Sequence, residues 1–385
     1  MGLAAALLLA VLAASLLYCV IVVLATRHYL AERISQPRPG IPISVLKPLH
    51  GLDEGLEDNL RTFFEQDYPA FEILFAVRRE DDPALEVVER LHREFPGIPA
   101  RLIVTGEPPY PNAKVFSLDR MLAEARFDIL VMSDSDIRAP RGLLARIAAE
   151  FRDERVGLAV CPYRAAPGRS FWSRLEALGM NTEFWGGVAV ARLLEGMKFG
   201  VGPTMAVRRH ALHRIGGFDR LSSYLAEDFV MGRLIAEAGY KVILSSQVVE
   251  HRIGSQSLRV NFAHRLRWAR STRRSRPAGY IGQAFTYPIV LALLVVPLAP
   301  KGWVWLLAAL ALRALAAWSV AGPMLHDGHT GRYWWALPLQ DLLAFGFWIA
   351  GFFGKTIVWR GRRYFLLRDG RFQPVASASA RGAGA

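Results

Sequence analysis

A chain of 385 residues with 52% hydrophobic content and a formal charge of +13 is too long for one ordinary domain and too apolar for an average soluble protein. Segments of about 20 apolar residues, each able to cross a hydrocarbon core of roughly 30 Å, account for the excess. The charge calls for an anionic partner, but no long Lys/Arg-rich tail and no nucleic-acid-binding motif is present, which leaves anionic lipid and phosphorylated substrates in place of nucleic acid. Two cysteines, Cys19 in an apolar run and Cys161 in a predicted strand, support neither a disulfide framework nor a cysteine-based metal site.

Residues 2–26 carry no charge before Arg27, which predicts an uncleaved transmembrane helix over 1–26. A cleaved signal peptide would want a basic start, and there is no Lys or Arg ahead of the apolar run. Arg27, Arg33 and Arg38 follow it, so the positive-inside rule places the next domain in the cytosol. Residues 27–42, with the run from Pro37 to Pro42, read as a linker.

From Ile43 to about Ser246 short apolar runs alternate with amphipathic stretches. Strands are expected at 43–46, 71–77, 101–104, 127–132 and 157–161, and helices at 55–65, 84–94 and 114–125. This alternation predicts an α/β domain over 43–283, with a mostly parallel sheet covered on both faces. Ligands of such sheets bind beyond the C-terminal strand ends.

The last third differs. Apolar stretches at 284–300, 303–322 and 335–358 predict a C-terminal membrane block over 284–358 with about three membrane helices, the first short and interrupted by Pro288 and Pro297. Four full crossings would put the C-terminus outside, yet Trp359-Arg360-Gly361-Arg362-Arg363-Tyr364 is basic and prefers the cytosol. Either one segment does not cross or this flank breaks the rule. Residues 359–385 read as a basic and then disordered tail, Ala/Ser/Gly-rich from Ala376.

The chemistry is concentrated in a few acidic and basic clusters. Asp134-Ser135-Asp136 directly follows a predicted strand. Two carboxylates two residues apart at a strand end suit a hard cation, Mg²⁺ or Mn²⁺, shared with a diphosphate; Asp136 would hold the metal and Asp134 the metal or a ribose. The plain alternative is a turn or a helix N-cap. Glu227-Asp228 opens a predicted helix. It either favours the dipole there or supplies Asp228 as the general base that deprotonates an acceptor hydroxyl.

Asp82, before Pro83, is either an ordinary helix start or a carboxylate that binds the base of a donor nucleotide. Lys47 and Lys114 are candidates to face the donor, although solvated surface is the default for a lone lysine. His264-Arg265-Leu266-Arg267-Trp268 combines a cation for a departing diphosphate with a stacking face, and is otherwise a juxtamembrane patch on anionic lipid. The arginines beyond Trp268 are expected to be mostly lipid-facing. Asp341, in the last apolar stretch, is expected to snorkel or to touch the catalytic domain.

A carboxylate after the second strand, then D-x-D, E-D and R-W, occur in this order in GT-A glycosyltransferases of the family 2 type. More closely, the chain resembles the ceramide glucosyltransferase family through Ser44-Val45-Leu46-Lys47-Pro48, Asp82-Pro83-Ala84, Asp134-Ser135-Asp136, Gly202-Pro203-Thr204-Met205, Glu227-Asp228 and the ending Val358–Tyr364. The last catalytic motif of that family is (Q/R)-x-x-R-W, and His264 departs from it. Arg270-Ser271-Thr272-Arg273-Arg274-Ser275-Arg276-Pro277 is most similar to the bacterial hopanoid-associated branch.

The resemblance implies a GT-A fold and transfer, with inversion, of a hexose (N-acetylglucosamine or glucose) from a UDP-sugar to a lipid hydroxyl. A hopanoid polyol is favoured over ceramide as the lipid. It implies donor binding by Lys47, Asp82, Lys114, Asp134, Arg267 and Trp268, a divalent cation on Asp134 and Asp136, and lesser roles for Glu227 and His264. The stretch 184–197 would help present the lipid at the interface. The Ala- and Arg-rich composition points to a bacterial source, hence a multi-pass protein of a bacterial inner membrane with its catalytic domain cytosolic. A processive polysaccharide synthase, a polyprenyl-phosphate sugar transferase and a non-catalytic lipid-binding scaffold are the competing readings.

Overall fold

The apolar run Ile43-Ser44-Val45-Leu46 continues through Lys47 into Pro48 as a fully extended strand, β1 (Ile43–Pro48), with its first five residues buried. The computed structural model of the protein describes residues 2–32, 40–359 and 362–375. β1 is flanked by β2 (Phe71–Val77), beyond which lies β3 (Ala100–Val104), and on its other side by β4 (Ile129–Ser133), all parallel. The remaining strands of this sheet are β6 (Val156–Val160), β8 (Thr204–Arg208) and β9 (Lys241–Leu244), giving the order β3-β2-β1-β4-β8-β6-β9. β8 runs antiparallel to both β4 and β6, the exception in a sheet that is otherwise parallel. A smaller sheet of β5 (Ile137–Arg138), β7 (Tyr163–Pro167) and β10 (Val249–Gly254) stands over the C-terminal end of β4.

Before this domain runs α1 (Leu3–Leu30), 28 residues long. Within the domain lie α2 (Leu56–Phe64), α3 (Ala84–Glu94), α4 (Ala113–Glu124), α5 (Leu143–Glu150), α6 (Phe171–Gly179), α7 (Trp185–Glu195), α8 (Arg209–Arg214) and α9 (Glu227–Glu237). β2, with all seven residues buried, shows why the sheet holds: α2 and α3 lay Phe63, Phe64, Val88 and Leu91 on its faces. Burial of such side chains contributes about 1.5–3 kcal/mol each.

α1 extends four residues past the predicted 1–26 boundary and docks on the domain. The Tyr29 hydroxyl donates to the Ser245 carbonyl at 2.6 Å, and Glu32 pairs with Arg192. Residues 33–39 of the predicted linker, including Arg33 and Arg38, lie outside the described residues. The stretch 184–197, expected to help present a lipid at the interface, packs on α1: a Cβ on Gly186 would meet Val22 at 3.3 Å. It follows a π-helical turn, Met180–Phe184, of the kind that interrupts helices at functional sites.

The C-terminal third bears on three expectations. It contains α10 (Leu258–Ser275), α11 (Pro277–Gly282), α12 (Pro288–Val295), α13 (Gly302–Ser319), α14 (Gly328–Tyr333) and α15 (Leu337–Gly351). Among the described residues two helices, Leu3–Leu30 and Gly302–Met324, are long and apolar enough to cross a membrane, while Pro277–Thr286 and Pro288–Val295 form a pair bent by 58°. First, the stretch 335–358 is helical only in part. α15 has 15 residues, about 22 Å of helix against a core of roughly 30 Å, and Thr356–Trp359 is a strand.

Second, the basic segment after it is not a tail. β11 (Thr356–Trp359), β12 (Arg362–Leu366) and β13 (Phe372–Pro374) form an antiparallel sheet, with Tyr364, Leu366 and Phe372 buried beneath its arginines. The predicted disorder from Ala376 onward lies outside the described residues. Third, the arginines beyond Trp268 do not all point to lipid. Arg270 donates to the carbonyls of Phe353 (3.0 Å) and Thr356 (2.6 Å), and Arg273 to those of Phe352 and Gly354. The unpaired carbonyls past the C-terminus of α15 draw these cations in.

Asp341 does not snorkel. It is fully buried, and Arg313 of α13 holds it through contacts of 2.9–3.2 Å while also reaching Thr182 at 3.2 Å.

Candidate active site

β1 and β4 are parallel neighbours, so their C-terminal ends bring Lys47 and the Asp134-Ser135-Asp136 turn to one edge of the sheet. The turn is strapped on both sides. Asp134 N–H donates to the Pro203 carbonyl at 2.9 Å, and the Asp136 carbonyl accepts from Arg252 N–H at 2.7 Å. Beneath it Lys47 is completely buried, not solvated: Nζ donates to the Asp134 carbonyl and to Ser133 Oγ at 3.4 Å, and lies 4.0 Å from the Phe63 ring centroid. Burial pulls the Lys47 ammonium down to about 7, against the opposing charges of Asp134 and Asp136.

Lys114 is no surface lysine either. Asn112 caps α4, its Oδ1 accepting from Val115 N–H at 3.2 Å, while its Nδ2 donates to the Tyr224 carbonyl at 2.9 Å and reaches Glu227 at 3.4 Å. That cap aims Lys114 so that Nζ sits 2.7 Å from Asp134 Oδ1 and 3.4 Å from Glu227 Oε1. Burial opposes the charge on Lys114, but Asp134 and Glu227 together hold its affinity for the proton above the ordinary lysine value. The D-x-D and E-D motifs, far apart in sequence, are thereby joined by one cation.

Asp228 occupies the first turn of α9. Its Oδ1 accepts from Phe229 N–H at 2.7 Å, and the Gly202 amide donates to the same carboxylate. A Cβ on Gly202 would lie 2.7 Å from Asp228 Oδ2, so the Gly202-Pro203-Thr204 loop approaches closely only as glycine. Burial, with the neighbouring Glu227 charge, pushes the Asp228 carboxyl up to about 6. A carboxylate with a raised pKa and a nearby cation is what a general base at neutral pH requires.

Asp82 is held more tightly than its position before Pro83 suggests. Its two oxygens accept from Gly51 N–H at 3.0 and 3.1 Å, and Oδ1 also caps α3 through Ala84 N–H at 3.0 Å. It lies at the end of β2, along the same sheet edge as Lys47, and fixes the loop after β1. Arg267 and Trp268 lie on α10. The Trp268 ring centroid is 4.9 Å from that of His264 and 6.1 Å from that of Phe184. His264 is engaged elsewhere, with Nδ1 2.7 Å from Glu176 Oε1.

Several residues at the site were not anticipated. His251 of β10 places Nε2 3.1 Å from Asp136 Oδ2, and Tyr163 of β7 stacks edge-on against His251 at 5.1 Å. Burial would push the Asp136 carboxyl up, but the charge and hydrogen bond of His251, with Lys47 beyond, hold it below the usual carboxylate range. Burial likewise drives the Tyr163 hydroxyl well above its ordinary value, and Glu176, Asp228 and Asp136 add to the effect. A single histidine or tyrosine on a strand gives no spacing signal, because its partners come from other segments.

The donor set suits a divalent cation. Asp136 Oδ1 and His251 Nδ1 are buried with no hydrogen-bond partner, so Asp136 keeps one oxygen uncommitted beside Asp134. Among the described residues no group of three or more His, Cys, Asp or Glu side chains is arranged to hold an ion alone. A site that takes part of its coordination from a diphosphate needs no such cage.

Comparison with known proteins agrees with this geometry. Ceramide glucosyltransferase 1 of Caenorhabditis elegans is 30% identical over 237 residues, covering 60% of this chain and 50% of the relative. The ceramide glucosyltransferase of Komagataella phaffii is 35% identical over 108 residues, 27% of this chain and 21% of the relative. The chain thus spans about half the length of the nematode relative it matches. Among solved structures, the mannosyltransferase PcManGT of Pyrobaculum calidifontis, in complex with GDP-Man and Mn²⁺, aligns with a TM-score of 0.55 and 22% identity over 90% of this chain and 97% of its own. That likeness shows a shared GT-A-like glycosyltransferase fold. The family model for glycosyl transferase family 21 matches residues 7–372, and the chain belongs to that family.

Proposed function

We propose that this chain is an inverting hexosyltransferase that moves a sugar from a UDP-sugar to the hydroxyl of a membrane lipid. The observation that carries this reading is the Lys114 bridge, which sets Asp134 and Glu227-Asp228 around one point at the C-terminal sheet edge. In the transfer step the acceptor O–H gives its proton to the Asp228 carboxylate, and the freed oxygen bonds to the anomeric carbon. The anomeric C–O bond to the diphosphate breaks on the opposite face, and UDP leaves. Lys47 and Lys114 keep the D-x-D turn in place, Asp82 faces the nucleotide, and Arg267 and Trp268 flank the sugar. Asp134 and Asp136, with His251 against Asp136, would hold a divalent cation, which when bound offsets charge on the departing diphosphate.

The relatives named ceramide glucosyltransferase support a sphingolipid-type alcohol as acceptor, while a hopanoid polyol rests on the resemblance of the segment Arg270–Pro277 alone. Glucose and N-acetylglucosamine are both offered as donors, in a bacterial inner membrane with the catalytic domain cytosolic. α1, the bent pair and α13 make three crossings, and α15 stays at the cytosolic interface beside α10. The basic residues of β12, which prefer the cytosol, support this topology over four crossings. Transfer of radiolabelled sugar from each UDP donor to ceramide and to bacteriohopanetetrol, by purified protein, tests the proposal. Absence of product with every lipid alcohol contradicts it.

A further inference from the structure

α9 starts after Ala226, whose side chain cannot cap a helix, so the turn that carries Glu227 and Asp228 is not fixed by its own N-cap residue. The residues just ahead of it are built into the C-terminal sheet instead. Tyr224 pairs antiparallel with Arg371, Phe372 N–H donates to the Ser223 carbonyl at 2.9 Å, and Leu225 N–H donates to the Gly370 carbonyl at 3.4 Å. Residues 223–225 thus run along the edge of β13 that β12 leaves open, as a peptide adds to an unpaired sheet edge. Side chains reinforce the pairing. Leu225 is buried with Ile357, Tyr364, Leu366 and Phe372. The Arg371 guanidinium lies 5.5 Å from the Tyr224 ring centroid and donates through Nε to the Tyr224 hydroxyl at 3.4 Å.

This added strand is held from two further sides. Inward, the Tyr224 carbonyl accepts from Asn112 Nδ2 at 2.9 Å, and the same amide reaches Glu227 at 3.4 Å. Outward, the sheet is fastened to α10. Arg270 and Arg273 donate to carbonyls between Phe352 and Thr356, and a Cβ on Gly370 would meet Ser275 Oγ at 3.3 Å. α10 also carries Arg267 and Trp268. One small sheet therefore grips the two segments, distant in sequence, that bear the E-D and R-W motifs.

Resting on the function proposed above, we infer that the C-terminal sheet is a clasp for the reaction centre, with Tyr224 and Arg371 as its positioning residues. They act through the first turn of α9, which they hold at a fixed distance from α10 and so set the approach of Asp228 to the acceptor oxygen. Misplacing a reacting group by about 1 Å costs as much as a hundredfold in rate. Released from β13, residues 223–225 keep Asn112 and the turn in which Tyr224 N–H donates to the Leu221 carbonyl at 3.0 Å, and the base is left slack. Asp82 and the Asp134-Ser135-Asp136 turn follow other strands, so opening the clasp slows transfer and spares donor affinity.

The test uses the full chain in detergent, carrying Tyr224→Cys together with Arg371→Cys. Opposed residues of an antiparallel pair lie about 4.5–5.5 Å apart, within the range a disulfide spans. Cys19 and Cys161 are buried and do not compete. Reduced, the double variant should lose at least about tenfold in kcat for transfer from either UDP-sugar to ceramide or bacteriohopanetetrol, with UDP affinity within about twofold of wild type. Oxidised, it should recover to within about threefold of the wild-type kcat although both natural side chains are still missing, which separates position from side-chain chemistry. Arg371→Ala alone should lower kcat in the same direction and leave UDP affinity unchanged. Wild-type kcat in the reduced protein overturns the inference, as does a lack of recovery on oxidation. Failure of the two cysteines to pair also overturns it, because residues 223–225 would then not lie on β13. A loss of UDP affinity as large as the loss of kcat overturns it as well, since the sheet would then support the whole domain. No transfer by the wild type to any lipid alcohol overturns the proposed function and the clasp with it, whereas wild-type transfer with unaffected variants overturns the clasp alone.

Discussion

Lys114 Nζ lies 2.7 Å from Asp134 Oδ1 and 3.4 Å from Glu227 Oε1, so one ammonium group closes the gap between the Asp134-Ser135-Asp136 turn and the first turn of α9. Removing it leaves two partly buried carboxylates facing each other without a cation. Breaking such a pair from one side costs about 3–5 kcal/mol when the site is fully buried. Glu227 and Asp134 keep some solvent contact, which screens the loss. Lys114→Met is expected to lower kcat/KM by about a hundredfold, mostly through the donor, and to lower Tm by a few degrees. Calorimetric titration with UDP and a thermal melt check both.

In the proposed mechanism Asp228 must be ionised to accept the acceptor proton, and burial with the Glu227 charge pushes its carboxyl up to about 6. The rate is therefore expected to be full above that value and to fall tenfold per unit of pH below it, as the proton occupies the base. The acidic limb should vanish in Asp228→Asn, whose residual rate is flat with pH and lower by about 10²–10⁴-fold. A pH–rate series of kcat in both proteins measures this directly.

Asp136 has one oxygen against His251 and one without a partner. Chelation with EDTA is expected to abolish transfer, and Mn²⁺ or Mg²⁺ to restore it. Asp136→Asn should raise the Mn²⁺ concentration needed for half-activity by at least about tenfold, and His251→Ala by about 10–100-fold if the ring orients or ligates the ion. The readout is the Mn²⁺ dependence of UDP binding, followed without any acceptor.

The β13 edge is bonded to the loop that precedes Glu227: Phe372 N–H donates to the Ser223 carbonyl at 2.9 Å, and Leu225 N–H to Gly370 at 3.4 Å. On the proposed three-crossing topology the C-terminal sheet lies on the same side of the membrane as the catalytic domain. A cysteine introduced at Val375 is expected to react with a membrane-impermeant maleimide only in inside-out vesicles. Labelling in intact spheroplasts would contradict the three-crossing arrangement. Cys19 and Cys161 are both buried and give little background.

Much of this architecture was legible because it is written in local pattern. β1, β2 and β4 are short runs of Ile, Val, Leu and Phe, and the Asp134 turn follows directly on one of them. β8 escaped because Thr204-Met205-Ala206-Val207-Arg208 is brief and pairs antiparallel with strands distant in sequence. Lys47 and Lys114 look like solvated lysines until Asp134 and Glu227 arrive from elsewhere in the chain. β12 was hidden by its arginines, although Tyr364 and Leu366 alternate with exposed neighbours as a half-buried strand should. His251 and Glu176 carried no signal at all, since each gains its meaning from one partner across the fold.

The most direct test of the central claim is transfer of labelled sugar from UDP-glucose or UDP-N-acetylglucosamine to a lipid alcohol, comparing wild type with Asp228→Asn. A glycolipid of inverted anomeric configuration is expected from the wild type, with loss of that product in Asp228→Asn while UDP-sugar binding is retained. Equal product from both proteins, or a product that retains the donor's anomeric configuration, would contradict it.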